Sequence, residues 1–376
     1  IDAAKLAHSI SRDIPLGEGK TNVKVTKPIF ESVMKNGLGA YKKIARTDER
    51  LSVFYNENEL VDDINKTEDF GKMPGNPDAV SSRAIERGIA QLGSLGGGNH
   101  FIEIQHVTDI YNEEKAAAFG LEKDMITVMV HSGSRGFGHE IAGEYMKLAL
   151  KECQNKAMPI PNKQLTYLYA DTELGKKFTG AMHAAANFAY LNRLIMIMLI
   201  RKNIRYEYGK DLILPSLYDV PHNMVKQEKH GEQLLWIHRK GSTRAFAPEL
   251  MHAPFDKTGQ PVIIPGSMGT HSYILAGVNS GSESLYSVCH GAGRVMSRTE
   301  AAGKKRKGKI VKHAKITDEQ FEKSIEGVYL ICEKRGKIKE EAPDAYKDID
   351  AVIDVIHGAG LAEKVARVKP LAVLKG

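Results

Sequence analysis

The spacing of apolar residues predicts several helices along this chain. Apolar positions recur at helical intervals over residues 78–90 and 138–158, which indicates two amphipathic helices. A longer run from about residue 174 to 206, rich in Ala, Met and Leu, predicts a buried helix. The sequence TDEQ at residues 317–320 is a capping-box pattern that opens a late helix. Residues 1–75 are mixed in pattern and are predicted to be loop-rich.

Four short apolar runs predict buried strands, and each run ends in a polar loop that is rich in glycine. They cover residues 125–130, 234–237, 261–264 and 285–288. Because rigid strands often deliver loops to one edge where a site forms, four such loops indicate a shared pocket. The expected fold class is α+β, with mixed sheets and surrounding helices around one central pocket, in a single domain over residues 1–376.

Composition narrows the possible partners of the protein. The 376 residues carry a formal net charge of +7, which fits either simple solubility or a polyanionic partner such as nucleic acid. Three dispersed cysteines without a CxxC pair argue against a disulfide framework and for a reducing compartment, so a cytoplasmic location is expected. Asn192 and Arg193 interrupt the longest apolar stretch, residues 188–200, so no membrane partner is expected.

Histidines in or beside these loops are candidate metal ligands. His100 follows three consecutive glycines, His131 follows the first predicted strand, and His222 and His290 lie in later loops. Neutral imidazole is a frequent ligand of divalent transition metals, so these side chains could build one metal centre. Their spacing matches no local zinc motif, however, and a structural hydrogen-bonding role for each of them stays open.

Five cations in or beside the same loops favour a phosphorylated ligand, because Arg and Lys side chains donate to phosphate oxygens. The alternative is that they form surface ion pairs. No Walker A sequence and no GxSxG sequence is present, which excludes a P-loop enzyme and the usual serine-hydrolase elbow. The five candidates are Arg135, Arg239, Lys240, Arg244 and Arg294.

The tetrapeptide HGAG occurs twice, at residues 290–293 and 357–360. The first copy follows a predicted strand and is followed by Arg294. The second copy is followed by Leu361 and an Ala- and Lys-containing run, residues 362–368, which is predicted to be a helix. Glycines in the second copy therefore serve most simply as a turn, and His290 is the better candidate for chemistry.

Taken together, the loops resemble those of the RtcB family of RNA ligases. The matching segments run in order from about residue 80 to the end of the chain, and jointly they are far more specific than any one of them. They are GSLGGGNHFIEI (93–104), VHSGSRGFGHEI (130–141), DVPHNMVKQE (219–228), HRKGSTRAF (238–246), PGSMGTHSY (265–273), CHGAGRVMSR (289–298), EEAPDAYKDI (340–349) and KPLAVLKG (369–376).

The resemblance implies an RtcB-like fold and a GTP- and Mn²⁺-dependent ligase of tRNA splicing and RNA repair. Such enzymes join RNA ending in a 2′,3′-cyclic phosphate or 3′-phosphate to RNA beginning with a 5′-hydroxyl. The family nucleophile corresponds to His290, which would attack the α-phosphate of GTP and carry GMP as a phosphoramidate. Imidazole is a competent covalent nucleophile. An archease-like activator and RNA, as tRNA halves or broken ends, are the implied partners.

The resemblance also implies the ligand sets. Two Mn²⁺ ions are expected in the intact family site, with His100, His131 and His222 among their ligands. The implied nucleotide contacts are Asn99, His100, Phe101, Ile102, Glu103, His222, Asn223, Pro265, Gly266, Ser267, Met268, Ser272, His290, Gly291, Ala292, Gly293, Tyr346 and Lys375.

One family element is not found in this sequence: a DxxCG motif whose aspartate and cysteine complete the metal site. The expectation is an N-terminally truncated chain that binds metal poorly by itself, with an N-terminal segment supplied in trans. Two alternatives to the ligase follow. One is a catalytically impaired subunit that binds GTP and RNA; the other is a metal-dependent phosphohydrolase that uses the same histidines.

Overall fold

The computed structural model describes residues 1–163, 165–306, 309–333 and 335–376. Within these ranges, residues 305, 306 and 309 are described by their backbone alone. In chain order the α-helices are α1 Ala3–Asp13, α2 Lys27–Asn36, α3 Tyr41–Ala45, α4 Glu49–Ser52, α5 Glu57–Asn65, α6 Ser82–Gln91, α7 Glu113–Ala118, α8 Arg135–Asn155, α9 Glu173–Tyr208, α10 Arg298–Ala302, α11 Asp318–Ser324 and α12 Ile349–Gly358. Short 3₁₀ turns lie at Gly37–Ala40, Glu68–Gly71, Pro77–Ala79, Pro248–Leu250, Asn279–Ser284, Arg335–Glu341 and Pro343–Ala345.

The strands form one larger sheet and three two-stranded ribbons within the described residues. They are β1 Phe101–Ile110, β2 Ile126–His131, β3 Asn223–His230, β4 Gln233–Lys240, β5 Ser242–Arg244, β6 Pro261–Ile264, β7 Ser272–Gly277, β8 Ser287–Cys289, β9 Lys304–Arg306, β10 Lys309–Lys312, β11 Tyr329–Cys332 and β12 Ala362–Lys375. The larger sheet has the order β2-β1-β12-β7-β6, and β11 also pairs with β12. The ribbons are β3-β4, β5-β8 and β9-β10. The predicted α+β class is confirmed.

Packing divides the chain into two units. The sheet unit comprises Ile1–Ser9, Phe101–Met129 and Ser216–Gly376, and the helical unit comprises Ile10–His100 and Val130–Pro215. Most of the described strands belong to the sheet unit. The single-domain organisation expected from the sequence stays a prediction.

The last strand, β12, is central to the sheet unit. It pairs antiparallel with β1 and β7 and parallel with β11. Its apolar side chains contribute to all three described core clusters of this unit, through Val365 and Val368, Ala362, and Val373. The prediction of a helix over residues 362–368 is therefore wrong. Ala and Lys are good helix formers, but intrinsic helix propensity is weak compared with tertiary interactions, and the ladder hydrogen bonds to neighbouring strands override it.

Helix α9 is central to the helical unit. Most of its residues from Gly180 to Arg205 are buried, and α2 and α8 pack against it. Among the described residues it alone is long and apolar enough to cross a membrane by length and composition, but 83% of its apolar window is buried inside the protein. This burial is the behaviour of a core helix, and the buried helix predicted for residues 174–206 is confirmed.

Other sequence-based predictions are confirmed only in part. The helix expected over residues 78–90 begins at Ser82, after the 3₁₀ turn Pro77–Ala79. The one expected over residues 138–158 is α8, shifted three residues towards the N-terminus. The capping box at Thr317 opens α11 as predicted, with both reciprocal hydrogen bonds present.

One prediction about organisation is wrong, and another is confirmed only in part. Residues 1–75 are largely helical rather than loop-rich, because short helices α1–α5 pack around core residues such as Phe30 and Tyr41. The four predicted strands form as β2, β4, β6 and β8, although β8 covers only residues 287 and 288 of the run 285–288. β2 and β6 lie at opposite edges of the larger sheet, and β4 and β8 belong to separate ribbons. The shared pocket of their loops stays a prediction.

Candidate functional site

Two histidines of the sheet unit, His222 and His290, stack face to face. Their ring centroids are 3.6 Å apart and their planes differ by 6°. Gly241, between β4 and β5, links them through the backbone: its N–H donates to the His222 carbonyl at 2.9 Å, and its carbonyl accepts from the His290 N–H at 3.1 Å. The β3-β4 and β5-β8 ribbons therefore hold the two rings in register.

Burial and the neighbouring His222 lower the pKa of His290 well below its usual range. Desolvation disfavours the cation, and a second imidazolium beside it would repel it. The His290 ring is therefore neutral at physiological pH. A neutral imidazole has a lone pair available for attack on phosphorus or for a metal ion.

The loop after His290 is held by the segment that contains Tyr346. Gly293 accepts a hydrogen bond from the Lys347 N–H at 2.9 Å, and the Val295 N–H donates to Ala345 at 2.9 Å. Gly293 has a φ of +79°, which favours glycine. The second HGAG copy is different, because His357 is exposed in the last turn of α12. The structure thus separates the two copies that share one tetrapeptide.

A cluster of buried polar groups lies on the adjacent strands β1 and β12. Lys375 pairs with Phe101 across β12 and β1, and its Nζ lies 5.7 Å from the Phe101 ring centroid. Burial raises the pKa of Glu103 to about 7, although a hydrogen bond from Gln105 and the charge of Lys375 act in the opposite direction. Burial likewise lowers the pKa of Lys375. Such shifted groups are common where ligands bind.

A buried carboxylate, Glu341, collects hydrogen bonds beside this cluster. The Tyr346 hydroxyl donates to it, as do Arg298 at 3.0 Å and Arg294 at 3.5 Å. Burial alone would raise the pKa of Glu341, but the charge of Lys375 and these hydrogen bonds lower it below its usual value. Burial and the negative charge of Glu341 raise the pKa of Tyr346. Tyr346 therefore stays a neutral phenol that can donate.

Gln105 connects the sequence-predicted residues of this region and was not predicted from the sequence. Its side-chain amide donates to Glu103 at 2.7 Å and to Ser272 at 3.4 Å. The Ser272 hydroxyl in turn accepts from the Gly266 N–H at 3.0 Å. Alternation along β1 places residues 101, 103 and 105 on one face, and this periodicity is the signal that could have identified Gln105.

In the helical unit, His100 and His131 lie close together. Their ring centroids are 5.9 Å apart. Gly96 leaves room for the His100 ring, because an added Cβ would lie 2.4 Å from His100 Nδ1 and 1.9 Å from the Arg135 guanidinium. Its φ of +109° also favours glycine, so both packing and backbone geometry favour glycine at this position.

Helix α9 fixes the loops that carry these two histidines. The Asn192 side chain accepts from the Gly93 N–H at 2.7 Å and donates to the Ser94 and Gly133 carbonyls at 3.3 Å. Arg193 donates to the Ser132 carbonyl at 3.1 Å. Both side chains support the histidine loops, a role that was not predicted from the sequence. The sequence signal for it is the pair of polar residues inside an apolar helical run.

The five candidate cations have different surroundings. Arg239 makes a buried bidentate ion pair with Glu228, at 2.6 and 2.8 Å. Arg244 donates to Gln260 at 3.2 Å and lies over the Phe246 ring. Arg135 donates to the Gly17 carbonyl at 3.1 Å, and burial lowers its pKa to about 10. Lys240 is exposed. Phosphate or RNA binding by each of them stays a prediction.

The predicted nucleotide contacts fall into two groups. Asn99 and His100 belong to the helical unit, and the others belong to the sheet unit. Within the sheet unit, Ile102, Met268 and Ala292 are buried. Pro265 and Ser267 flank Gly266, whose N–H is bonded to Ser272. Asn223 accepts from the Gly241 N–H at 3.2 Å, and Gly291 follows the nucleophile candidate directly.

Comparison with known proteins identifies the family. The family model described as tRNA-splicing ligase RtcB matches residues 2–376. A protein of that name from Archaeoglobus fulgidus is 37% identical over 394 residues, covering 98% of this chain and 80% of the relative. The protein of the same name from Thermococcus kodakarensis is 42% identical, and the match covers 84% of this chain and 66% of the relative. The one from Methanococcus maripaludis is 37% identical, and the match covers 99% of this chain and 76% of the relative. The chain therefore belongs to the tRNA-splicing ligase RtcB family.

Proposed function

We propose that the protein is an RNA ligase of tRNA splicing and RNA repair that uses GTP and Mn²⁺. It would join a 3′-phosphate or 2′,3′-cyclic phosphate end to a 5′-hydroxyl end. Membership of the family supports ligation. The observation that carries the detailed proposal is His290 itself: a neutral imidazole, stacked on His222 and fixed by backbone hydrogen bonds of its loop.

In the first step an imidazole nitrogen of His290 attacks the α-phosphorus of GTP. An N–P bond forms, the bond to the bridging oxygen breaks, and pyrophosphate leaves. The GMP group then passes to an oxygen of the RNA 3′-phosphate, which regenerates the imidazole; a cyclic end is first opened by water. Finally the 5′-hydroxyl attacks the activated phosphate and GMP leaves.

The buried polar cluster suits the guanine base. A carboxylate such as Glu103 would accept from the N–H groups of guanine, and Lys375 would donate to its carbonyl oxygen or N7. Tyr346, whose hydroxyl donates to Glu341, would line the same end of the proposed nucleotide site. Burial excludes water, so each of these hydrogen bonds discriminates strongly against a base that cannot form it. The Ser272 hydroxyl and the loop of Pro265 and Gly266 complete this side of the proposed nucleotide site.

The histidines suit a transition metal. We propose His100, His131 and His222 as Mn²⁺ ligands, because neutral imidazoles are suitable donors and the loops of His100 and His131 are fixed by Asn192 and Arg193. A bound divalent cation neutralises triphosphate charge. Arg135, Arg294 and Lys240 are proposed to assist with phosphate, and an archease-like activator belongs to the same proposal.

The proposal is tested by covalent labelling. The protein is incubated with α-³²P-labelled GTP and Mn²⁺, alone and with an added segment carrying the DxxCG motif, and acid-labile label on the protein is measured. We expect His290→Ala to abolish labelling and His357→Ala to retain most of it. The second variant is a matched control, because both histidines begin the same tetrapeptide.

Three outcomes would contradict the proposal. Equal losses in the two variants would remove the distinction between the HGAG copies. No label under either condition would favour the impaired GTP- and RNA-binding subunit. Phosphate release from an RNA end without joining would favour the phosphohydrolase.

A further inference from the structure

The β3-β4 ribbon is a hairpin with two different faces. Asn223–His230 pairs with Gln233–Lys240 without a register shift. Burial alternates along both strands: Lys226, Glu228, Ile237 and Arg239 are buried, whereas the residues between them are largely exposed. Because side chains alternate across a strand, the hairpin presents one face to the protein and the other to solvent.

The solvent side, here called the hairpin face, combines cationic and aromatic side chains. Its cross-strand pairs place Trp236 opposite Gln227, and Leu234 opposite Lys229. Trp236 is 39% exposed and Leu234 is 62% exposed. None of the eight positions is acidic. The hairpin face consists of Asn223, Val225, Gln227, Lys229, Leu234, Trp236, His238 and Lys240.

The inner face holds the hairpin rigidly. Arg239 donates twice to Glu228, and also to Ser287 at 3.0 Å and to the Leu285 carbonyl at 3.1 Å. The ion pair of Arg239 with Glu228 is therefore buried on the inner face. The Glu228 carboxylate is not on the hairpin face, where it would repel an anionic ligand. Trp236 therefore stands on a pre-organised support, which reduces the entropy lost when a ligand binds.

The hairpin face leads to His290. Asn223 and Lys240 form its last pair, and the next residue, Gly241, bonds to the backbones of both His222 and His290. Trp236 lies four residues from Lys240, or about 14 Å along the strand. A chain that approaches His290 along the hairpin would pass Trp236 first and then Lys240.

We propose that the hairpin face binds the single-stranded RNA segment that leads to the His290 site. Trp236 stacks on a base, and Lys229 and Lys240 contact phosphates. Aromatic side chains interleaved with cations, without carboxylates, are the features that bind single strands regardless of sequence. The role assigned to this RNA rests on the proposed function. A protein partner is the alternative occupant, and the basic character of the face favours RNA.

The first experiment uses the wild-type protein. Trp236 is the single tryptophan of the chain, so intrinsic tryptophan emission reports on this side chain alone. Titration with a 12-nucleotide single-stranded RNA that carries a 3′-phosphate is expected to quench the emission saturably, and the same sequence as a duplex is expected to quench it less. Unchanged emission at RNA concentrations that saturate binding by filter retention would overturn the proposal.

The second experiment separates stacking from folding and from GTP chemistry. Trp236→Ala is expected to weaken binding of this RNA about 5- to 100-fold, whereas Trp236→Phe retains most of the affinity. Tyr329→Ala is the matched control, since Tyr329 is a similarly exposed aromatic residue of β11 in the same unit. Labelling by GTP should be equal in all four proteins. An unchanged RNA Kd for Trp236→Ala would contradict the proposal and leave the face to a protein partner.

The contribution of the lysines to RNA binding is tested by a matched pair of charge reversals. Lys229→Glu should weaken RNA binding and lower the salt dependence, whereas Lys257→Glu, an exposed charge reversal outside the hairpin, should not. Equal effects of the two reversals would contradict a local phosphate contact. If wild-type protein shows no GTP labelling while RNA still quenches Trp236, the ligase proposal fails and RNA binding by the hairpin face stands.

Discussion

At the scale of single residues, burial controls the chemistry of the polar cluster around Glu103. This carboxyl group and Lys375 lie on adjacent central strands, away from solvent, and burial shifts the pKa of each towards its neutral form. A sequence can show that a lysine stands second from the end. Only the pairing of β1 and β12 places that lysine beside a buried glutamate.

The raised pKa of Glu103 predicts a pH-dependent stability. The pKa of Glu103 in the folded protein is about 7, above its ordinary value of 4.5. The stability that the neutral carboxyl group of Glu103 contributes is fully present below pH 4.5 and is lost as the pH rises through about 7. Relative to Glu103→Gln, the wild-type protein should lose about 2–3 kcal/mol of unfolding free energy between pH 5 and pH 8.

Urea unfolding of metal- and nucleotide-free protein measures this difference. Glu319→Gln, on the exposed first turn of α11, is the matched control. A wild-type-minus-Gln difference that stays constant from pH 5 to pH 8 would show that Glu103 does not titrate in this range.

At the scale of elements, α9 supports the helical unit, and two of its buried asparagines, Asn187 and Asn192, have different tasks. Asn187 bonds to the Met34 carbonyl and to both backbone groups of Met73. Asn192 bonds to the loops that precede His100 and follow His131. One side chain therefore stabilises the helical packing, and the other also positions the candidate metal ligands.

This difference predicts distinct consequences for two otherwise similar substitutions. Asn187→Ala and Asn192→Ala should each cost about 2–4 kcal/mol of stability, because each leaves buried backbone groups unpaired. Only Asn192→Ala should also weaken Mn²⁺ binding, measured by electron paramagnetic resonance at a temperature where both variants are folded. Equal Mn²⁺ affinities in the two variants would contradict a positioning role for Asn192.

At the scale of the whole molecule, the net charge of +7 favours a polyanion. Each phosphate that a cation neutralises in a single strand contributes about −0.7 to the slope of log K against log salt concentration. RNA binding to this protein should therefore weaken steeply when the salt concentration rises about fourfold, from 50 to 200 mM. Binding of a neutral nucleoside, such as guanosine, should change little. A salt-independent RNA Kd would argue against phosphate contacts.

The sequence by itself determined the family resemblance, the candidate site residues and part of the local structure. It identified the histidines and glycine-rich loops, distinguished His290 from His357, and predicted α9 and the capping box of α11, because helical periodicity, capping and turn signals extend over a few residues. Only the tertiary structure decided that residues 362–375 form a central strand, since the partners of that strand on β1 lie about 260 residues away. It likewise revealed Gln105, Asn192 and the Glu228 partner of Arg239, because a hydrogen bond depends on where folding brings two side chains and not on their separation in the chain.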